Sequence, residues 1–164
     1  MMNDELFLIS RRCLEILRQC SKRVAFAESC TGGLLSKCMT DHSGASDVFE
    51  CGVVSYSGKI KHKLLGVNEE TLRAYGEVSE HTAAEMSQGI VSLSGADIGV
   101  GITGIVGPTG ATANKKVGLI YASITFAGET EVHKLELYQD FSREERRIKA
   151  AIFVLNRIIE LLTK

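Results

Sequence analysis

The stretch Val24-Ala25-Phe26-Ala27-Glu28-Ser29-Cys30-Thr31-Gly32-Gly33 decides how this chain is read. Its first residues are apolar or small and form a short buried strand. A hydroxyl, a thiol and a second hydroxyl follow, and then two glycines, which let the backbone turn tightly and approach a ligand closely. Leu34, Leu35, Cys38 and Met39 next recur at helical spacing, so the order is strand, polar turn, helix. That order places Ser29 to Gly33 beside a helix N-terminus over 32–41, where free N–H groups and the dipole favour an anion or a developing oxyanion. Taken alone, the same residues also read as an N-cap at Thr31 and ordinary turn residues at Ser29 and Cys30.

Upstream, Leu6, Ile9, Cys13, Ile16, Leu17 and Cys20 lie at spacings of three and four, which predicts an amphipathic helix over 3–21. Downstream, residues 48–56 are rich in β-branched and aromatic types and read as a strand ending at Tyr56. Ser57 caps a short helix that Gly66 stops, with Lys61 about one turn in and sharing a face with Ile60, Leu64 and Leu65. Asn68 opens a helix to Tyr75, and Ser79 opens another whose buried face is Ala83, Met86, Ile90 and Leu93.

Residues 96–103 form a glycine-containing strand, followed by the loop Gly104 to Gly110. Residues 99–104 match G-x-G-x-x-G, but these glycines fall inside the strand, Pro108 and Gly110 delay any helix, and no suitably placed acid follows. The dinucleotide reading is therefore rejected, and the loop is read as the wall of a ligand pocket. Residues 117–126 and 130–138 predict a hairpin across Ala127-Gly128-Glu129. Ser142 and Glu145 form a capping box that opens a long final helix. Arg143 at its start gains nothing from the positive end of a helix, so it is either solvated or held for an anionic ligand.

The alternation predicts an α/β fold, a single domain over residues 1–164 with helices on both sides of a mixed sheet. Glu28-Ser29, Ser55-Tyr56 and Thr103-Gly104 all stand at C-terminal ends of predicted strands, where ligands gather in such folds.

At 164 residues, 45% hydrophobic and 24% charged, the chain has the balance of an ordinary soluble domain. The formal charge of −1 offers no basic field for nucleic acid. No signal-peptide layout and no membrane-spanning run is visible, so a cytoplasmic protein without a membrane partner is expected. Five cysteines without a Cys-x-x-Cys and four scattered histidines lack metal-site spacing, so no cofactor or metal is expected.

A serine hydroxyl beside a lysine held neutral can attack an amide carbonyl, with backbone N–H groups taking the oxyanion. At this level the chain resembles the C-terminal domain of the competence/damage-inducible protein CinA. The resemblance rests on Ala27 to Gly33, on Gly52 to Ser57 with Lys61 and Leu64 to Val67, on Gly76 to Ser79, on Gly101 to Pro108, and on Val117-Gly118. It departs from the family pattern at Phe141-Ser142, Ala111 and Lys115-Lys116, all at the pocket rim.

The stand-alone members of that family are nicotinamide-nucleotide amidases, so the resemblance implies hydrolysis of nicotinamide mononucleotide to nicotinate mononucleotide and ammonia. It also implies a small-molecule nucleotide as the partner and a homo-oligomer. It gives Ser29 as nucleophile, Lys61 as its base and Tyr56 as a helper. Substrate contacts are expected from Glu28, Cys30, Thr31, Gly32, Gly33, Ser46, Thr103, Gly104 and Arg143. Three alternatives remain beside it: Cys30 as the nucleophile with a histidine base, a nucleotide-binding module that does no chemistry, and a purely structural pattern whose glycines serve packing.

Overall fold

The computed structural model describes residues 1–164. Five strands form one mixed sheet in the order β2-β1-β3-β4-β5, with β1 Val24–Glu28, β2 Phe49–Val54, β3 Ile98–Gly104, β4 Leu119–Phe126 and β5 Glu129–Glu136. β1 lies parallel to both β2 and β3, while β4 and β5 run antiparallel. The helices are α1 Met2–Gln19, α2 Leu34–Thr40, α3 Gly58–Leu65, α4 Glu69–Tyr75, α5 Glu80–Ser94 and α6 Arg143–Leu162. A single 3₁₀ turn, Ala45–Asp47, precedes β2.

The alternation of side chains along β1 sorts the two helical layers. Val24 and Phe26 join Val100, Ile102, Ile120 and Ile124 against α1, α2 and α6, and this is the larger core. Ala25 and Ala27 face the other way, onto Leu65, Met86 and Ile90 of α3 and α5. Every residue of β1 is buried, as a strand covered on both faces requires.

The small side of the sheet explains the glycines of β3. A Cβ at Gly101 would lie 2.6 Å from the Ser87 nitrogen and 2.8 Å from the Met86 Cβ. Gly99 and Gly101 thus let the α5 backbone lie directly on the sheet. Ser87 of α5 then meets Ser123 and Thr125 of β4, each at 2.8 Å, so the buried hydroxyls satisfy one another.

Local signals set most boundaries. Ser57, Asn68, Ser79 and Ser142 each accept a backbone N–H in the first turn of their helix, and Ser142 and Glu145 close the expected capping box. Gly66 and Gly95 end α3 and α5 in the left-handed conformation. The β4–β5 turn is tighter than expected: Ala127 and Gly128 both have positive φ, 52° and 82°, so Glu129 already belongs to β5. No helix is long and apolar enough to cross a membrane.

Candidate active site

Parallel pairing brings three chain reversals to one edge of the sheet. Glu28 pairs with Val54 on one side and Ile102 on the other, so Ser29, Ser55-Tyr56 and Thr103-Gly104 emerge side by side. A cleft of about 280 Å³ opens there, lined by Ser29, Cys30, Tyr56, Glu77, Thr103 and Arg143 among others.

Ser29 follows β1 by one residue, and its N–H donates to the Ile102 carbonyl at 3.0 Å. Its side chain meets α3. Helical side chains lean toward the N-terminus of their helix, and Lys61 accordingly reaches back along α3 beneath the residues that precede it. Its Nζ stands 2.8 Å from Ser29 Oγ, 2.7 Å from the Ser55 carbonyl and 3.3 Å from the Tyr56 carbonyl. Lys61 is wholly buried, more deeply than its lysine-rich segment suggests.

Burial lowers the Lys61 pKa from its usual 10.5, opposed chiefly by the negative charge of Glu77. A neutral amine has two N–H donors and one lone pair. In the protonated form Nζ donates to Ser29 Oγ; in the neutral form its two N–H groups stay on the two carbonyls and the lone pair is left for the Ser29 hydroxyl. This is the arrangement in which a lysine accepts a proton from a serine.

The turn after Ser29 depends on Gly32 and Gly33, whose φ values of 63° and 98° disfavour a side chain. The N–H groups of Cys30 and Thr31 donate to no carbonyl in the protein, which leaves them for an oxyanion beside Ser29. Gly32 donates instead to the Ser29 carbonyl at 3.2 Å, and Ile105 in the glycine loop to Leu119 at 2.8 Å.

Two expected ligand contacts are placed elsewhere. Glu28 is fully buried and spends its carboxylate on α2: it accepts the N–H groups of Gly33 and Leu35 at 3.1 Å and of Ser36 at 2.8 Å, and the Ser36 hydroxyl at 2.7 Å. The positive end of α2 is therefore filled by the chain's own anion, and Glu28 shapes the turn without facing the cleft. That also corrects the N-cap reading of Thr31, because the cap position is Gly33 and the acceptor is Glu28. Ser46 lies in the 3₁₀ turn before β2, exposed and at the opposite end of the sheet from Ser29, since Phe49 pairs with Val24.

The remaining expectations meet in one place. Thr103 is buried and donates to the Glu77 carbonyl at 2.8 Å, which fixes the cleft wall. Arg143 donates to the Gly107 carbonyl at 2.5 Å and stands 3.5 Å from the Tyr56 hydroxyl, spanning the mouth. Tyr56 itself is 62% exposed. Cys30 lines the cleft, but burial pushes its thiol up to about 12, so the nucleophilic thiolate is disfavoured.

Sequence reasoning missed three residues here. Glu77 lines the cleft and accepts the Gly58 N–H at 2.8 Å. Arg147 holds the Cys30 carbonyl at 2.8 Å through Nε. Arg146 is buried and donates to the carbonyls of Val106, Leu137 and Gln139, fixing the glycine loop to the segment before α6. The charged run Arg143 to Arg147 was the available signal, but helical phase alone does not say which arginine turns inward. No three His, Cys, Asp or Glu side chains gather as a metal site would require.

Comparison with known proteins agrees with this fold. Residues 8–162 match the model of the CinA C-terminal domain. A nicotinamide-nucleotide amidohydrolase PncC from Enterobacter agglomerans is 45% identical over 143 residues, covering 86% of this chain and 85% of that protein. A CinA-like protein from Kosmotoga olearia is 46% identical over 143 residues, but these are 34% of its length, so the chain spans about a third of such longer relatives. The crystal structure of the competence/damage inducible protein CihA from Agrobacterium tumefaciens superposes with a TM-score of 0.91 at 35% identity, covering 96% of this chain and 95% of that one.

Proposed function

Because the chain belongs to the CinA C-terminal domain family, we propose that it is an amidohydrolase that converts nicotinamide mononucleotide to nicotinate mononucleotide and ammonia. The observation that carries this reading is the 2.8 Å contact between the buried Lys61 Nζ and the Oγ of Ser29, which lines the cleft. The amidohydrolase named among the relatives supports the choice of substrate.

In this mechanism Lys61 takes the Ser29 proton as Oγ bonds to the carboxamide carbon. The carbonyl oxygen becomes an oxyanion against the N–H groups of Cys30 and Thr31. The tetrahedral intermediate collapses, the C–N bond breaks, and nitrogen leaves as ammonia. Its proton comes from Lys61, and Tyr56, which lines the cleft, assists the departing nitrogen. A water molecule, deprotonated by Lys61, then attacks the acyl ester, and Ser29 leaves with its proton restored. Arg143 at the mouth faces the nucleotide's phosphate, a charge-assisted contact.

The test is ammonia release from nicotinamide mononucleotide by the purified protein, in chelator, beside Ser29→Ala and Lys61→Ala. Release by the wild type, lost in both folded variants, is expected. No release from a folded wild type that the nucleotide nonetheless stabilises against heat would replace the amidase with a binding module.

A further inference from the structure

A second cavity, of about 530 Å³, opens on the far side of Arg143 from the catalytic cleft, where the Gly32-Gly33 turn faces the first turns of α6. Its wall includes Thr31, Gly32, Lys37, Arg143, Glu144 and Arg147. Arg143 and Arg147 lie there beside the Glu144 carboxylate, and Lys37 stands on the rim, paired with Asp41 at 2.5 Å. Arg143 and Arg147 are four residues apart on α6 and so share a face.

Five of the nine arginines pair with carboxylates; Arg143 and Arg147, with Arg12 and Arg146, are the four that do not. Arg11, Arg18, Arg23, Arg73 and Arg157 each have a carboxylate partner. Arg143 and Arg147 hold only the Gly107 and Cys30 carbonyls and the Tyr56 hydroxyl. Most of their N–H donors are left for another acceptor. Thr31 adds an independent sign: it is 3% exposed, and its hydroxyl has no hydrogen-bond partner. A buried hydroxyl in a cavity wall is costly unless something satisfies it. The α2 N-terminus contributes nothing, being occupied by Glu28.

We infer that this cavity is a binding site for a phosphoryl-class oxyanion, held by the guanidinium of Arg147 with Lys37, Arg143 and the Thr31 hydroxyl. Planar guanidinium forks and a hydroxyl donor suit a tetrahedral oxyanion. Glu144 on the rim tempers the affinity and disfavours ligands of higher negative charge. Arg143 borders both cavities, so the oxyanion is either the phosphoryl end of a ligand seated at Ser29 or a separate small anion.

The probe is inorganic phosphate, titrated calorimetrically into the full chain at constant ionic strength, which keeps general screening fixed. Saturable binding is expected, weakened about ten-fold or more in Arg147→Met. Lys37→Glu reverses a charge on the exposed rim, gives up the pair with Asp41, and is expected to weaken binding too. Arg73→Met, on α4, leaves binding unchanged. Absence of saturable binding, or the same loss in Arg73→Met, overturns the site.

A kinetic arm separates the two sources. If phosphate raises KM for nicotinamide mononucleotide but leaves hydrolysis of nicotinamide riboside untouched, the site holds the substrate's own phosphoryl group. If phosphate acts equally on both, or on neither, the site holds a separate anion. The calorimetric arm needs no turnover, so failure of the amidase reading appears in the kinetic arm alone.

Discussion

Lys61 Nζ touches Ser29 Oγ at 2.8 Å and has no solvent exposure. The pair therefore works only when the amine is neutral, and burial moves it that way while Glu77 opposes. The rate, measured as kcat/KM against pH, is expected to rise along an acid limb as Lys61 loses its proton, at a pH below the ordinary lysine value. Glu77→Gln removes the charge that holds the proton on, so the limb shifts to lower pH. A limb that stays in place would separate Glu77 from the base.

The same burial predicts a stability signature. The Lys61 pKa is depressed in the folded state, so between its folded and unfolded values the unfolded chain binds more protons. Stability then rises with pH through that window. Urea midpoints of the wild type and Lys61→Met, measured from neutral to alkaline pH, should show the wild type gaining on the variant as pH rises. Parallel curves would mean that Lys61 titrates alike in both states.

Glu28 holds the turn in place of touching ligand. Its carboxylate accepts three N–H groups and one hydroxyl at the start of α2. Glu28→Gln replaces one accepting oxygen by a donor that faces other donors. A loss on the order of 2–3 kcal/mol is expected from unsatisfied buried N–H groups, together with a fall in kcat because the amides of Cys30 and Thr31 shift. Unchanged stability with lost activity would return Glu28 to the ligand contacts.

These cases show what the residues disclose and what they withhold. Strand and helix order, the four capping residues and the convergence of Ser29, Tyr56 and Thr103 follow from local chemistry that a linear pattern carries. Glu28 was misplaced because a carboxylate before a glycine turn has two uses, filling the helix end or meeting a ligand, and only the path of the turn chooses. Ser46 was misplaced because its distance from Ser29 depends on the direction of β2, a pairing that no local spacing encodes. The full burial of Lys61 was not legible, because three lysines in one segment resemble a solvated face until α3 is docked on the sheet. Arg147 and Glu77 act through a backbone carbonyl and a backbone amide, contacts with no sequence signature.

Cys30 sits beside the nucleophile, yet its thiol is held at about 12 by burial. Iodoacetamide at neutral pH is therefore expected to label the exposed Cys20 and to spare Cys30. Turnover should persist through that labelling, as peptide mapping beside the ammonia assay would establish. Inactivation that tracks Cys30 modification would revive the thiol nucleophile.

The antiparallel edge of the sheet is tied to α6 by one ion pair whose loss should be visible in acid. Glu131 on β5 takes two contacts from Arg157, at 2.6 and 2.8 Å, and lies 3.0 Å from His133. Hydrogen bonding from Arg157 holds the Glu131 carboxyl down at about 2, from a usual 4.5. A depressed carboxylate contributes its stabilisation above the unfolded value and loses it as pH falls from there toward the folded one. Glu131→Gln is expected to cost about 1–2 kcal/mol at neutral pH, a figure discounted for partial exposure. The difference from wild type should shrink as pH drops from about 5 toward 2. Thermal melts across that range check it, and a difference independent of pH would place the variant's effect in packing instead of charge.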